Sequence, residues 1–197
     1  MRSSREITEF IAEFQSYLRE NGNELRGDDA DSSSPYPTTY PLIPALSLET
    51  SLPEIIDTSS TPGFGGIILR TPTILKKIKT QAEPVFMCLM GAHQSRHLKR
   101  MMEKENITIQ KLDPLAVSGC QFPCVVLVLE PNSYPEMTWK EVILAMSRAT
   151  TSLFVIACKN LKKEPNAEEF VISKFFLEDS KKSKRIKEVK KLDPQAQ

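Results

Sequence analysis

The chain has 197 residues, a formal net charge of +1 and a hydrophobic fraction of 40%. This length suits one ordinary domain with some additional sequence, and the near-neutral charge argues against a uniformly basic nucleic-acid-binding protein. No apolar run reaches the roughly 18 residues of a membrane span, and the charged start is unlike a signal peptide. We therefore expect a protein of the nucleus or cytoplasm that has no membrane partner.

The first quarter of the chain predicts one helix followed by a mobile insertion. Ser3 or Ser4 can cap a helix that ends at Asn21-Gly22. Its apolar residues recur at helical spacing: Ile7, Phe10, Ile11, Phe14 and Leu18. From Gly22 to Gly63 the sequence is rich in Asp, Ser, Thr and Pro, and such a stretch buries too little apolar surface to offset its ordering entropy. We expect it to be disordered and dispensable for folding.

The remaining sequence alternates strand and helix patterns, which predicts an α/β fold with a parallel, doubly wound sheet. The predicted strands are Gly66–Leu69, Val85–Met90, Ile107–Ile109, Cys124–Leu129 and Leu153–Ala157, and the predicted helices are Pro72–Lys79, Gln94–Lys104, Thr138–Met146 and Ala167–Phe176. The predicted organisation is a first helix over 1–21, the insertion over 22–63, the main domain over 64–178 and a basic flexible tail over 179–197.

The cysteines and histidines do not predict a metal site. The cysteines are Cys88, Cys120, Cys124 and Cys158. Cys120 and Cys124 form a CxxxC pattern without a nearby His or further Cys, which differs from the usual zinc-ligand spacing. His93 and His97 are four residues apart on one predicted helix, but no third ligand accompanies them. We therefore expect free thiols and solvated histidines.

The most informative segment is Glu141–Thr150, in which a helix pattern ends in Ser-Arg-Ala-Thr just before the apolar run of Leu153–Ala157. It resembles the last signature motif of superfamily 1 helicases of the UvrD/Rep type. The resemblance implies a RecA-like second lobe in which Arg148 reaches across a cleft to the γ-phosphate of ATP held by a first lobe. A planar, permanently charged guanidinium suits that role because it can meet phosphate oxygens bidentately.

Three further segments resemble motifs of the same family, and they occur in the family's order. Met1–Ile7 resembles the "NYRS…I" motif, which implies that Arg2 also approaches the γ-phosphate. Val85–Arg96 resembles "VLVRTNAQSR", with Gln94, Ser95 and Arg96 identical, and these three residues are candidate nucleic-acid contacts. Val117–Val128 resembles "KGLEFPVVFLV", which implies that Gly119 and Gln121 lie at the nucleotide.

The chain departs from the family pattern at several polar positions. Gln121 stands where the family has a glutamate that helps to order the ATP site, and Ser118 replaces the usual lysine. Met90 replaces an arginine, and Asp113 and Leu115 replace the upstream "T-x-H" pair. An amide offers a donor and an acceptor but no charge. These departures argue against tight nucleotide coordination.

The chain contains neither GxxxxGK[ST] nor a strand that ends in Asp-Glu, so it has no phosphate-cradling loop and no Mg²⁺ ligands of that kind. The resemblance therefore implies that ATP and Mg²⁺ bind only in a complete two-lobe protein, with a first RecA-like lobe supplied in cis or in trans. It also implies contacts with single-stranded DNA or RNA.

Two functions remain open at this point. One is the second lobe of a helicase-like ATPase, with Arg148 as arginine finger. The other is a non-catalytic interaction or regulatory module derived from such a lobe. For Arg148 we expect a guanidinium that is free to point into the cleft, because Val142, Ile143 and Met146 should face the sheet. The tail Lys181–Lys191, with seven cations and one acid, is a solvated charged end, an attraction for nucleic acid or a nuclear localisation patch.

Overall fold

A computed structural model describes residues 2–21, 43–44, 51–61, 64–78, 84–89, 92–104, 110–112, 119–129, 138–157 and 167–179. The strands are β1 (Arg2–Ser3), β2 (Ile43–Pro44), β3 (Glu54–Asp57), β4 (Pro84–Leu89), β5 (Gln110–Leu112), β6 (Phe122–Leu129) and β7 (Ala149–Ala157). The helices are α1 (Arg5–Glu20), α2 (Phe64–Ile78), α3 (Ala92–Lys104), α4 (Trp139–Met146) and α5 (Ala167–Leu177).

Five strands form one parallel sheet in the order β3-β7-β6-β4-β5. The central strand β6 pairs with β7 on one side, where Val125 lies opposite Leu153. On its other side it pairs with β4, where Val125 lies opposite Val85. A separate parallel pair joins β1 to β2. The predicted α/β class with a parallel sheet is therefore confirmed.

Helices cover both faces of the sheet, because successive side chains of a strand point to opposite sides. In β6, Val125, Leu127 and Leu129 belong to a core that they share with residues of α1, α4 and α5. The alternate residues Val126 and Val128 belong to a second core with residues of α2 and α3. Burial on both faces explains why β6 reads as an unbroken apolar run rather than as an alternating one.

The first helix forms as the sequence predicts. Ser4 is its N-cap, and the Ser4 hydroxyl accepts a hydrogen bond from the backbone N–H of Ile7. Asn21 is its C-cap. Phe10 and Phe14 are fully buried and contact the rings of Phe175 and Phe176 of α5 at centroid distances between 4.8 and 6.2 Å. This aromatic cluster joins the first and last described helices on one face of the sheet.

The prediction of a disordered insertion over 22–63 is wrong for its last part. Strand β3 lies inside that stretch and pairs with β7, with Ile55 opposite Val155 and Ile56 opposite Ile156. Both isoleucines are buried. Average composition concealed this short apolar segment, which gains its hydrogen bonds from a strand about a hundred residues later. Residues 22–42 and 45–50 lie outside the described residues, so the prediction stays untested there.

The predicted strand Gly66–Leu69 is also wrong, since these residues lie inside helix α2. An added Cβ on Gly66 would lie 1.9 Å from the backbone oxygen of Thr61, so the helix packs against the preceding loop with no room for a side chain. The sequence predicts Pro72 in the first turn of a helix, whereas the structure places it in the interior of α2. A short β-branched run does not distinguish a strand from a buried helix turn, and here the packing decides.

The other predicted elements agree with the structure where it describes them. Helices α3, α4 and α5 and strands β4 and β6 lie within two residues of their predicted bounds, whereas β7 begins four residues before Leu153. The predicted strand Ile107–Ile109 and the tail from residue 180 onwards lie outside the described residues. Among the helices that are described, none has the length and apolar character needed to cross a membrane.

Candidate functional site

Arg148 lies in the two-residue turn that joins helix α4 to strand β7. A capping box fixes the start of α4: the Thr138 hydroxyl accepts from the N–H of Glu141, and the Glu141 carboxylate accepts from the N–H of Thr138. At the other end, the Ser147 N–H donates to the Ile143 carbonyl at 2.9 Å and that of Arg148 to the Ala145 carbonyl at 3.1 Å. Because both ends of the helix are held, the position of Arg148 relative to the sheet is defined.

The guanidinium of Arg148 is buried, with only 2% of the residue exposed. Its Nε donates to the Leu144 carbonyl at 3.3 Å, its Nη1 to the Cys120 carbonyl at 3.1 Å, and its Nη2 to the Ser147 hydroxyl at 3.3 Å. Burial lowers the pKa of Arg148 from its ordinary value. The expectation of a free guanidinium is therefore wrong, because the side chain folds back onto its own domain.

All three partners of Arg148 are neutral. Among the residues that the structure describes, no carboxylate pairs with the guanidinium. A buried cation without a counter-ion is costly, and the lowered pKa reflects that cost. Arginine has five N–H donors, and the three hydrogen bonds use three of them. The site therefore keeps a positive charge, and two N–H donors of Arg148 have no acceptor among the described residues.

Three of the four motif-like segments meet at this turn. The hydroxyl of Ser3 donates to the Ser147 carbonyl at 3.4 Å, and the N–H of Ser4 donates to the Thr150 carbonyl at 2.8 Å. From the third segment, the N–H of Phe122 donates to the Arg148 carbonyl at 2.8 Å. Since Phe122 and Ala149 begin adjacent parallel strands, the cluster lies at the amino-terminal edge of the sheet.

Gly119 and Gln121 belong to the loop that leads into β6. Gly119, Cys120 and Gln121 are all exposed. Gly119 has a φ of 86°, a conformation that other residues adopt only with strain, whereas an added Cβ would meet nothing within 4 Å. The backbone conformation of the turn therefore requires glycine here, whereas contact with a neighbouring segment does not. Gly119 and Gln121 flank Cys120, whose carbonyl accepts from Arg148, and their place at a nucleotide stays a prediction.

The backbone of Arg2 lies in the same neighbourhood. Arg2 pairs with Ile43 in the small β1–β2 sheet, and the next residue, Ser3, is buried against Ser147. The side chain of Arg2 lies outside the described part of the structure. Its approach to a phosphate therefore stays a prediction.

Gln94, Ser95 and Arg96 are not part of this cluster. They lie in the first turns of α3, which follows the carboxyl end of β4. Leu89 at that end pairs with Leu129, seven residues along β6 from Phe122, so the two edges are about 23 Å apart at roughly 3.3 Å per residue. Arg96 is exposed, and the side chains of Gln94 and Ser95 are not described. The candidate nucleic-acid residues and the candidate phosphate residues lie at opposite edges of the sheet.

Ser147 is a residue of this site that sequence reasoning missed. It is fully buried, and its hydroxyl donates to the Leu144 carbonyl at 2.7 Å while it accepts from Nη2 of Arg148. Ser147 therefore links the guanidinium to the end of α4. A serine at the last turn of a helix, directly before the arginine, was the available signal, because such hydroxyls often bond to carbonyls of the preceding turn.

A second buried polar cluster lies at the carboxyl end of β3, in the stretch that was expected to be disordered. Nη1 of Arg70 donates to the Asp57 carbonyl at 3.4 Å, and Nη2 donates to the Ser60 hydroxyl. The Thr58 hydroxyl donates to the Ala157 carbonyl at 3.0 Å. The contacts of Arg70 join α2 to the end of strand β3, and the contact of Thr58 joins that end to β7. Among the described residues, no group of three or more His, Cys, Asp or Glu side chains is arranged to hold a metal ion.

Comparison with known proteins defines the fold of this chain. No family model matches it, and no curated protein matches its sequence. The fold, in contrast, resembles a solved structure. The C-terminal domain of a possible DNA helicase from Lactobacillus plantarum WCFS1 superimposes with a TM-score of 0.52 over 83% of this chain and 90% of that one. The two sequences are 12% identical. The protein therefore has a helicase C-terminal-domain-like α/β fold, and the comparison shows the fold alone.

Proposed function

We propose that this chain is the second RecA-like lobe of a superfamily 1 helicase-like ATPase, in which Arg148 acts as an arginine finger. The observation that carries the proposal is the meeting of three motif-like segments at Arg148, through hydrogen bonds that involve Ser3, Ser4 and Phe122. These segments are far apart in sequence, and chance resemblance does not require them to be neighbours. The helicase-like fold supports the same proposal.

The chemistry of Arg148 fits an anionic ligand. The guanidinium is positively charged, has only neutral partners among the described residues, and keeps two N–H donors. A phosphate oxygen at this point would supply the missing counter-charge through charge-assisted hydrogen bonds. On this proposal Arg148 and Arg2 stabilise charge on the transferred γ-phosphoryl group. Gly119 and Gln121 shape the same edge of the nucleotide site.

The remaining parts of the proposal concern the rest of the nucleotide site, the nucleic acid and the compartment. ATP and Mg²⁺ bind in a cleft that a first RecA-like lobe completes, in cis or in trans, because the phosphate cradle and the metal ligands are absent from this sequence. Gln94, Ser95 and Arg96 contact single-stranded DNA or RNA at the opposite edge of the sheet, where the start of α3 offers backbone N–H groups. The proposed compartment is the nucleus or the cytoplasm.

A second candidate function is a non-catalytic interaction or regulatory module derived from such a lobe. A specific observation favours it: all three hydrogen bonds of Arg148 go to its own domain, so the residue has a structural role even without a nucleotide. Gln121 in the place of a glutamate points the same way.

Steady-state phosphate release from ATP separates the two functions. The assay uses the chain together with its first lobe, on one polypeptide or as two, and compares the wild type with Arg148→Ala, Arg148→Lys and the exposed-site control Arg100→Ala. We expect Arg148→Ala to lower turnover by about 10³–10⁵-fold with a much smaller loss of nucleotide binding. Arg148→Lys should not restore turnover, since a point charge does not reproduce the planar fork. The chain alone should release no phosphate.

Wild-type turnover in Arg148→Ala, measured below its melting temperature, would reject the arginine-finger role and leave the interaction module. The Arg100→Ala control reports on nonspecific effects of removing a surface cation. A nucleotide-binding measurement on each variant separates loss of the chemical step from loss of the site.

A further inference from the structure

We propose that the loop Gly119–Gln121, here called the latch loop, holds Arg148 in a retracted position that weakens its binding of a phosphate, and that release of the loop strengthens this binding. This inference rests on the proposed function, because it concerns the regulation of the same arginine. The releasing event is contact of the exposed latch loop with the first lobe as the two lobes close on a polyphosphate.

The contacts of Arg148 fall into two groups. Leu144 and Ser147 belong to the end of α4 and the adjoining turn, so their bonds to Nε and Nη2 move with the arginine itself. The bond from Nη1 to the Cys120 carbonyl is different, because Cys120 lies 28 residues earlier on a separate loop. Among the described residues, this third bond alone joins the guanidinium to another segment. Breaking it frees Nη1 while Ser147 still orients Nη2.

The latch loop has the features of a movable segment with defined ends. Its three residues are exposed. At its far end Phe122 is held on both sides: its N–H donates to the Arg148 carbonyl at 2.8 Å, and its carbonyl accepts from the Thr150 hydroxyl at 3.2 Å. At its near end Gly119 has a φ of 86° and no neighbour against which a Cβ would press. A change of backbone conformation at Gly119 therefore swings the Cys120 carbonyl while Phe122 stays in place.

Release of the latch changes what Arg148 can bind. With Cys120 in place, Nη1 and Nη2 each have one N–H engaged by a neutral acceptor. When the Cys120 carbonyl moves away, both N–H groups of Nη1 become available beside Nη2. Adjacent donors on Nη1 and Nη2 can then bind two oxygens of one phosphate. The retracted state thus offers an anion fewer N–H donors than the released state, so Arg148 binds anions more weakly before the first lobe is in place.

Arginine-specific labelling of the full chain tests the latch. Phenylglyoxal modifies accessible guanidinium groups, and peptide mass spectrometry gives the rate at each arginine. In the wild type we expect Arg148 to react at least about tenfold more slowly than the exposed Arg5 and Arg100. Gly119→Ala should raise the Arg148 rate about fivefold or more. The reason is that positive φ is unfavourable for alanine, which lowers the population of the latched conformation by about that factor. The rates at Arg5 and Arg100 should not change.

Two further variants make the result specific. Gly119→Asn should keep the slow rate, since asparagine adopts positive φ more readily than other L-residues. Ile55→Val is a matched control that weakens the core by a similar amount without touching the loop, and it should leave the Arg148 rate unchanged. Inorganic pyrophosphate should protect Arg148 more strongly in Gly119→Ala than in the wild type, because the released guanidinium binds the anion better.

Several outcomes overturn the latch. They are an Arg148 rate equal to that of Arg100 in the wild type, no change in Gly119→Ala, or an equal rise in Ile55→Val. The labelling uses neither ATP turnover nor a first lobe, so its failure leaves the arginine-finger test untouched. A confirmed latch combined with wild-type turnover in Arg148→Ala would instead reject the proposed function alone.

Discussion

Replacing Arg148 with alanine should destabilise the isolated chain. Replacing an exposed arginine at the end of a helix would change the free energy of unfolding by no more than about 0.5 kcal/mol. Here the side chain is buried and donates three hydrogen bonds, to Leu144, Cys120 and Ser147. Truncation removes all three bonds and leaves a cavity beneath the exposed loop at Cys120.

The size of the loss follows from these contacts. A hydrogen bond from a charged donor contributes about 1.5–3 kcal/mol, which gives a gross loss of several kcal/mol. Two effects reduce it: water can reach the Cys120 carbonyl, and the mutant no longer buries a cation that has only neutral partners. We expect a net loss of about 2–3 kcal/mol, or a fall in Tm of roughly 4–12 °C for a chain of this length.

Urea unfolding followed by circular dichroism measures this loss as a shift in midpoint at constant slope. Arg100→Ala, an exposed arginine on α3, is the matched control and should stay within about 0.5 kcal/mol of the wild type. Arg148→Lys should fall between the two, because it keeps the charge but not the three bonds. Stability of Arg148→Ala within about 0.5 kcal/mol of the wild type would refute the argument from burial.

Three other predictions follow from residues outside the site. Gly66→Ala should destabilise the chain by at least about 2 kcal/mol in the same urea assay, because its Cβ would lie 1.9 Å from the Thr61 oxygen and the backbone must move. An unchanged unfolding midpoint would mean that α2 does not pack this closely on the loop at Thr61. Ile55→Ala should cost about 2–5 kcal/mol, since Ile55 is buried in the edge strand β3, and a neutral result would restore the view of residues 22–63 as dispensable. Burial raises the pKa of the Cys124 thiol to about 12, above its ordinary value of 9.0, so the folded state holds a proton that the unfolded state loses. The wild type should therefore lose stability between pH 9 and pH 11 relative to Cys124→Ala, with a slope that approaches about 1.4 kcal/mol per pH unit at the upper end. Parallel pH profiles of the two proteins would contradict the raised pKa.

The elements that the sequence predicted correctly are those with a complete local signal. Ser3 or Ser4 followed by apolar residues at helical spacing predicted α1, and Thr138 as a cap predicted the start of α4. The β-branched run Cys124–Leu129 predicted a strand buried on both faces, because strands of a parallel sheet covered on both sides are typically apolar throughout. The order of the motif-like segments along the chain also predicted the helicase-like fold.

The sequence did not determine features that depend on partners far along the chain. Strand β3 exists because β7 offers it a hydrogen-bonding edge, and the four residues Glu54–Asp57 carry too little local signal to show it. Helix α2 requires glycine at position 66 because it packs closely on the loop at Thr61, a contact that no periodicity reveals.

The environment of Arg148 was decided by tertiary structure for the same physical reason. Local pattern placed it correctly at a helix end, and an isolated helix end would leave its side chain in water. The carbonyl of Cys120 from another loop and the buried hydroxyl of Ser147 instead provide acceptors inside the domain, so the guanidinium folds inward. The sequence placed Arg148 in a segment that resembles a helicase motif. Only the packing of three separate segments determined that the residue is buried, hydrogen-bonded and without an anionic partner among the described residues.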